Sequence, residues 1–392
     1  MRTNRGPCLF LLALTLVFAC SVSASGAWVT QQAATNHDTG VLTSLALDRR
    51  GSPHISYYDQ THFSLLYASW SGSGWYSQLV DTGYVGTHSS LAFYNDNLPR
   101  ISYTSFDPVQ QVVNGVKYAC LTDAGWTTQF VQTGSNVGKY TSLALDNLGR
   151  PRISYFDSGA GALKYAELNG SQWNIQTIDT GGSYGTGLYT SLKLDSLGNP
   201  HIAYHDDDNG TLRYAAYDAT GWHYTTVDSS AHVGAHPSLA LTSTGDPIIS
   251  YFDSTNTSLK LAQFYNGAWH VGAVDTNGIV GFANSLGLDP KTNWPRIAYA
   301  AGNPAVDTDM DFAYWNGTAW NFETIDEAGI VGEFVSMAID PNSGAPMISY
   351  YDRTNGDLKF AIPAGAVIPE PSTLSLLALA AVAAWTRRAK SR

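Results

Sequence analysis

Apolar and polar residues alternate along this chain in short runs, each closed by glycine, asparagine, aspartate or proline. In Ser142–Asp146, Leu143 and Leu145 fall on one face and Ser142 and Ala144 on the other. Asn147-Leu148-Gly149 reads as a turn, and Pro151 opens the next run. Arg152–Asp157 alternates again, Ser158–Gly161 turns, Leu163–Leu168 forms a third run, Asn169-Gly170 turns, and Trp173–Ile178 forms a fourth. A period of two with β-branched and aromatic residues between turn formers predicts strands.

The unit is copied along the chain. Its SLALD-like core begins at Ser44, Ser90, Ser142, Ser191, Ser238, Ser285 and Ser336, spaced by 46, 52, 49, 47, 47 and 51 residues. A tryptophan after a short polar turn recurs at Trp28, Trp75, Trp126, Trp173, Trp222, Trp269 and Trp320. Copies of this length are units that cannot bury their apolar faces alone. Four antiparallel strands per copy predict an all-β, seven-bladed β-propeller. A small residue between the second strand's Ile and Tyr (Ser56, Ser102, Ser154, Ala203, Ser250, Ala298, Ser349) lets neighbouring sheets approach closely. Before the first core stands one Trp strand, and after the last come two more strands. One N-terminal strand added to three C-terminal ones would complete the last blade and close the ring without an open edge.

This places one domain at 25–366, flanked by two address segments. Residues 1–24 carry Arg2 and Arg5, an apolar run and Val22-Ser23-Ala24, the pattern of a secretory signal cleaved after Ala24. An alternative reads Val17-Phe18-Ala19-Cys20 as a lipidation site, which Phe18 fits poorly. Residues 367–392 hold Pro369-Glu370-Pro371, the apolar Leu374–Trp385 and a basic end, Arg387-Arg388-Ala389-Lys390. That apolar run is short of the ~20 residues that span a bilayer. The tail resembles the PEP-CTERM sorting signal of Gram-negative bacteria. The resemblance implies an exosortase-type processing partner, membrane contact only through the tail, and a place at the cell surface or in an extracellular polysaccharide matrix. The repeats resemble those of secreted sialidase-like and lectin-like propellers, which implies fold more than activity.

Charge narrows the partners. The chain carries 21 Lys and Arg against 32 Asp and Glu, a net −11. Without both address segments, 21 − 6 = 15 basic and 32 − 1 = 31 acidic residues remain, a net −16. Such a domain is a poor partner for nucleic acid or anionic lipid. Cys8 and Cys20 lie in the leader, so Cys120 stands alone and no internal disulfide or cysteine metal cluster is expected.

Candidate chemistry lies where the copies differ. Aspartate ends most second strands (Asp59, Asp157, Asp206, Asp253, Asp352) and most fourth strands (Asp38, Asp81, Asp179, Asp228, Asp275, Asp326). Repetition at that level points to turn hydrogen bonding rather than to a site. The residue two before each core serine varies instead: Leu42, His88, Tyr140, Tyr189, His236, Ala283 and Phe334. His88, Tyr140, Tyr189, His236 and Phe334 would circle the channel mouth, either binding a sugar by stacking and hydrogen bonding or plugging the mouth as core.

Two irregular acidic stretches, His205–Gly210 and Asp307–Asp311, read as loops. Asp307, Asp309 and Asp311 are candidate calcium ligands, although Phe312 and Thr318 stand where an EF-type loop needs Gly and Glu. His205, His232 and His236 fall near one blade boundary where they would converge on a metal, although exposed histidines in polar loops are the commoner case. No other cofactor is expected. No nucleophile or zinc-protease motif occurs. Arg100, Arg150, Arg152 and Arg296 fall at first turns, on the face opposite the varied loops, and none of Glu167, Glu323, Glu327 and Glu333 stands out. The expected function is a secreted, non-catalytic propeller binding carbohydrate or a surface protein. A glycan hydrolase or lyase and a purely structural matrix scaffold are the alternatives.

Overall fold

The computed structural model describes residues 28–35 and 38–369, so Ala24 and the Glu370-Pro371 part of the sorting motif lie outside the described residues. Among the described residues the chain forms twenty-eight strands, numbered here in chain order, and is all-β as the alternation predicts. After β1 (Trp28–Ala34) come β2 (Thr39–Leu47), β3 (Pro53–Asp59), β4 (Ser64–Trp70) and β5 (Trp75–Asp81), paired in that order as one antiparallel sheet. Later sets repeat this, their first strands being β6 (Val85–Phe93), β10 (Val137–Leu145), β14 (Thr186–Leu194), β18 (Val233–Leu241), β22 (Val280–Leu288) and β26 (Val331–Ile339). The sets that start at β6 and β10 are joined by a single parallel pair, Val137 with Asn114.

β1 does not pair with β2. It pairs antiparallel with β28 (Asp357–Pro363), which continues through β27 (Pro346–Asp352) to β26. Trp28 lies opposite Pro363 and Gln31 opposite Phe360. The first strand thus sits in the sheet of the last three, the exchange that the two chain ends predict.

The core lies between sheets, because each sheet has apolar residues on both faces. Among the described residues it divides into seven clusters, each drawn from two sets, which are consecutive in six of the seven. One joins Leu45, Ile55 and Tyr57 of the first set to Met347, Leu358 and Phe360 of the last. The recurrent tryptophans wedge between sets: Trp222 meets Tyr165 edge-on at 5.5 Å, and Trp28 meets Phe312 at 5.1 Å.

The second-strand tyrosines, Tyr57, Tyr103, Tyr155, Tyr204, Tyr251, Tyr299 and Tyr350, are all fully buried. Full burial of a ring this size contributes about 1.5–3 kcal/mol, provided the hydroxyl is bonded. Tyr103 donates to Asp81 (2.6 Å), Tyr204 to Asp179 (2.6 Å), Tyr251 to Asp228 (2.6 Å), Tyr299 to Asp275 (2.8 Å) and Tyr350 to Asp326 (2.7 Å). Each aspartate is the last residue of the fourth strand of the preceding set, or in the case of Asp179 the last but one. Second-strand aspartates accept turn N–H groups instead, as when Asp253 accepts from Asn256 at 3.0 Å. Both families of repeated carboxylates are therefore structural.

Candidate functional site

Every set bends its first strand at the same place, and the bend builds a cavity. In β10 the pairing with β11 (Pro151–Asp157) skips between Val137 and Lys139 and again between Lys139 and Ser142. Gly138 sits in the first irregularity with φ 106°, and a Cβ there would lie 2.9 Å from backbone atoms of Gly115. The strand passes too close to its neighbour for any side chain. Tyr140 sits in the second irregularity at φ 56°, a left-handed conformation that a ring-bearing residue seldom adopts. Leu42, His88, Tyr189, His236 and Phe334 do the same at φ 51–55°.

These bends aim their side chains into one cavity of about 400 Å³. His88, Tyr140, Tyr189, His236 and Phe334 all line it, together with Leu42 and Ala283. Four of the rings form a continuous arc. His88 meets Tyr140 edge-on at 4.6 Å, Tyr140 meets Tyr189 at 4.3 Å, and Tyr189 meets His236 at 4.0 Å. Phe334 lies apart, 6.2 Å from Tyr351.

A layer of hydroxyls holds the arc. Thr141 Oγ1 donates to the His88 carbonyl at 2.7 Å and Thr190 Oγ1 to the Tyr140 carbonyl at 3.1 Å, while Asn284 Nδ2 donates to the His236 carbonyl at 2.9 Å. Since Thr141 and Thr190 spend their protons on those carbonyls, Ser102 and Ser154 donate to them from the neighbouring second strands, at 2.9 and 2.6 Å. The small residue noted in sequence thus both permits the close approach and secures it.

Burial sets the protonation of the arc. His88 falls to about 4, first through burial and then through Lys139 and His236. His236 also falls to about 4, through burial and then His205. Both imidazoles are neutral at pH 7, each with one donor and one acceptor nitrogen. Burial pushes the Tyr140 hydroxyl well up, reinforced by Tyr189, so it keeps its proton.

Sequence reasoning missed Glu333. It lines the cavity, is only 6% exposed, and accepts from Arg353 Nη2 at 2.9 Å. Burial raises its carboxyl, and Arg353 opposes that rise. The available signal was its place one residue before Phe334, where the other copies carry Val41, Thr87, Lys139, Leu188, Ala235 and Phe282.

The acidic run Asp307–Asp311 is corrected: it is not a loop but the start of strand β24 (Asp307–Trp315). Burial raises Asp309, as do Asp307, Glu327 and Asp326, and burial lifts Asp311 to about 6. His205 bonds Asp207 at 3.3 Å. No group of three or more His, Cys, Asp or Glu among the described residues is placed to hold a metal ion. The first-turn arginines are paired locally, Arg100 with Asp96, Arg152 with Asp146 and Arg296 with Asp289.

No protein-family model matches the chain, and no curated protein matches it. Solved structures do resemble it. A polysaccharide lyase of family PL25, an ulvan lyase, superimposes with a TM-score of 0.63 at 12% identity, over 88% of this chain and 99% of that one. Aleuria aurantia lectin, in complex with Fucα1-6GlcNAc, gives 0.50 at 14% identity, over 74% and 96%. A mutant form of AofleA from Arthrobotrys oligospora gives 0.51 at 11% identity, over 77% and 91%. At these identities the likeness is one of fold: the chain shares its arrangement of four-stranded sheets with glycan-binding and glycan-cleaving proteins.

Proposed function

We propose that this protein is a seven-bladed β-propeller, closed by β1, that binds carbohydrate non-catalytically in its central cavity. The arc His88–Tyr140–Tyr189–His236 carries the reading. Aromatic faces stack on the C–H faces of sugars, and neutral imidazoles and phenols both donate and accept hydrogen bonds to hydroxyls. The cavity is in the size range of ligand sites, roughly 300–1,000 Å³. Closure is supported by β1 in the sheet of β26–β28 and by contact between β2 and β26, which matches that between other successive first strands. Glycosidase chemistry uses two facing carboxyl groups, whereas Glu333 is the one carboxylate among the described lining residues and is tied to Arg353.

Titration calorimetry of the purified protein against a panel of bacterial exopolysaccharides and their oligosaccharides tests this. Saturable binding without new chain ends, abolished in Tyr140→Ala and Tyr189→Ala with the fold intact, is the expected result. Binding retained in both variants removes the site.

A polysaccharide lyase is the second reading, favoured by the contact of an imidazole, His88, with a phenol, Tyr140, in one cavity. In such an elimination a base takes the proton beside a uronic acid carboxylate. The C–O bond to the leaving sugar breaks, that oxygen gains a proton, and a C=C bond forms. Ultraviolet absorbance from that double bond would decide for the lyase. We propose further that the protein acts outside the cell. Amino-terminal sequencing of secreted material is expected to begin after Ala24, and retention in the cytoplasm would oppose it.

A further inference from the structure

Glu333, a lining residue, carries an unused acceptor. Arg353 Nη2 bonds Glu333 Oε1, while Glu333 Oε2 is buried with no partner. Arg353 is itself fixed, its Nη1 donating at 2.9 Å to the carbonyl of Pro304, another lining residue. A second lining residue, His88, likewise has a buried and unpartnered polar atom, Nδ1. An acceptor left bare in this way costs about 1–3 kcal/mol, more for a charged group. Its position marks it as a departure from the repeat. Across the seven copies only Lys139 and Glu333 are charged there, and Lys139 does not line the cavity. No lysine or arginine stands among the described lining residues.

Resting on the carbohydrate reading, we propose that Glu333 sets ligand specificity: the cavity takes a sugar unit that donates to Oε2, through an ammonium or a hydroxyl, and rejects uronic acids. A carboxylate can only accept hydrogen bonds. A ligand amine or hydroxyl supplies the missing proton, and an amine adds charge assistance. A uronate would bring a second anion beside Glu333 with no lining cation to receive it, and a like-charge contact costs affinity strongly. Discrimination here works by repulsion as much as by attraction. Arg353 does not reverse this, because its charge is paired with Glu333 and it does not line the cavity.

The test is calorimetry on the purified protein with three probes: glucosamine oligomers, neutral glucose oligomers and glucuronate-containing oligosaccharides. The unmodified protein is expected to bind the amino and neutral oligomers and not the uronate. Glu333→Gln should weaken the glucosamine oligomers by about tenfold or more, the loss of one charge-assisted hydrogen bond, and should let the uronate in. Equal or tighter binding of the uronate by the unmodified protein overturns the proposal without any variant. So does an unchanged preference in a folded Glu333→Gln protein that still binds neutral oligomers, and the carbohydrate reading then survives. Silence toward all three probes and toward the exopolysaccharide panel removes the carbohydrate reading and this inference together.

Discussion

The backbone N–H of Leu45 donates to Ser336 Oγ at 2.9 Å, across 291 residues of sequence. The same bond joins Leu91 to Ser44, Leu143 to Ser90, Leu192 to Ser142, Leu239 to Ser191, Leu286 to Ser238 and Met337 to Ser285, all at 2.9–3.0 Å. The core serine is therefore the link from each first strand to the next, and the Leu45 bond ties the first set to the last. β1 supports that junction through Ala33, which packs with Leu45, Ile55 and Phe360, and reaches the sixth set through Trp28, which meets Phe312 and donates its Nε1 to Glu323 at 2.8 Å. Deleting 28–34 strips a paired strand and leaves β28 as an open edge. Loss of several kcal/mol is expected, and 1 kcal/mol shifts the midpoint by roughly 1–2 °C in a domain of about 340 residues. The melting temperature should fall by about 5 °C or more, whereas Ser336→Ala should cost about 1 kcal/mol. A calorimetric scan of the deletion variant that matches the parent would refute closure through β1.

The glycine that opens each bend is the most constrained backbone position. At Gly187, φ is 108° and an added Cβ would lie 2.6 Å from the Leu163 Cα. Main chain cannot yield as a flexible side chain can. Gly187→Ala is expected to destabilise the protein by about 2 kcal/mol or more. Gly170→Ala, at a turn where a Cβ would meet nothing within 4 Å, should suffer only its φ of 63°, about 1 kcal/mol. Denaturant melts of the two variants check the order, and equal midpoints would refute the close approach.

Much of this was legible. Ser142, Trp173 and Tyr155 recur every 46–52 residues, and periodic packing writes itself periodically into sequence. The varied position two before the serine was legible too, because a ring of side chains facing one cavity is freed from sheet packing. The left-handed bend was not read, although Gly138 two residues before Tyr140 recurs as Gly40, Gly86, Gly187, Gly234, Gly281 and Gly332. Glu333 escaped because its meaning depends on Arg353 and Pro304, which reach it only through the fold. The Asp307–Asp311 run misled because charge suggested solvent, whereas pairing with β23 (Pro295–Asn303) makes it strand.

Tyr140 keeps a strained backbone for the sake of its ring. A left-handed conformation costs a non-glycine residue about 1–2 kcal/mol, and glycine adopts it freely. Tyr140→Gly should therefore be more stable than Tyr140→Ala by about 1 kcal/mol, while both lose sugar binding. The reverse order in thermal melts would show that the bend is not strained. Retained affinity in either variant would show that the arc is not the binding surface.

Asp311 gives a pH dependence of known sign. Burial lifts its folded-state carboxyl to about 6, with Asp309 and Asp275 adding to the rise and the Thr324 hydroxyl opposing it. Its Oδ1 is buried without a partner. Above pH 6 the carboxylate is ionised in both states, and the folded state bears the penalty. Below about pH 4 it is protonated in both states, and the penalty is gone. Two pKa units at about 1.4 kcal/mol each set a ceiling near 3 kcal/mol, and partial exposure of the residue reduces it to about 1–2 kcal/mol. Asp311→Asn keeps the shape and the bond to Thr324 without the charge. It is expected to melt higher than the parent at pH 7, with the difference vanishing as pH falls from 6 to 4. His88 and His236, held down to about 4, act with the opposite sign in both proteins, costing stability as pH falls from 6.5 toward 4. The comparison between parent and variant removes their contribution. A variant that melts lower at pH 7, or an advantage that persists at pH 4, would show that Asp311 is not a buried, unpaired carboxylate.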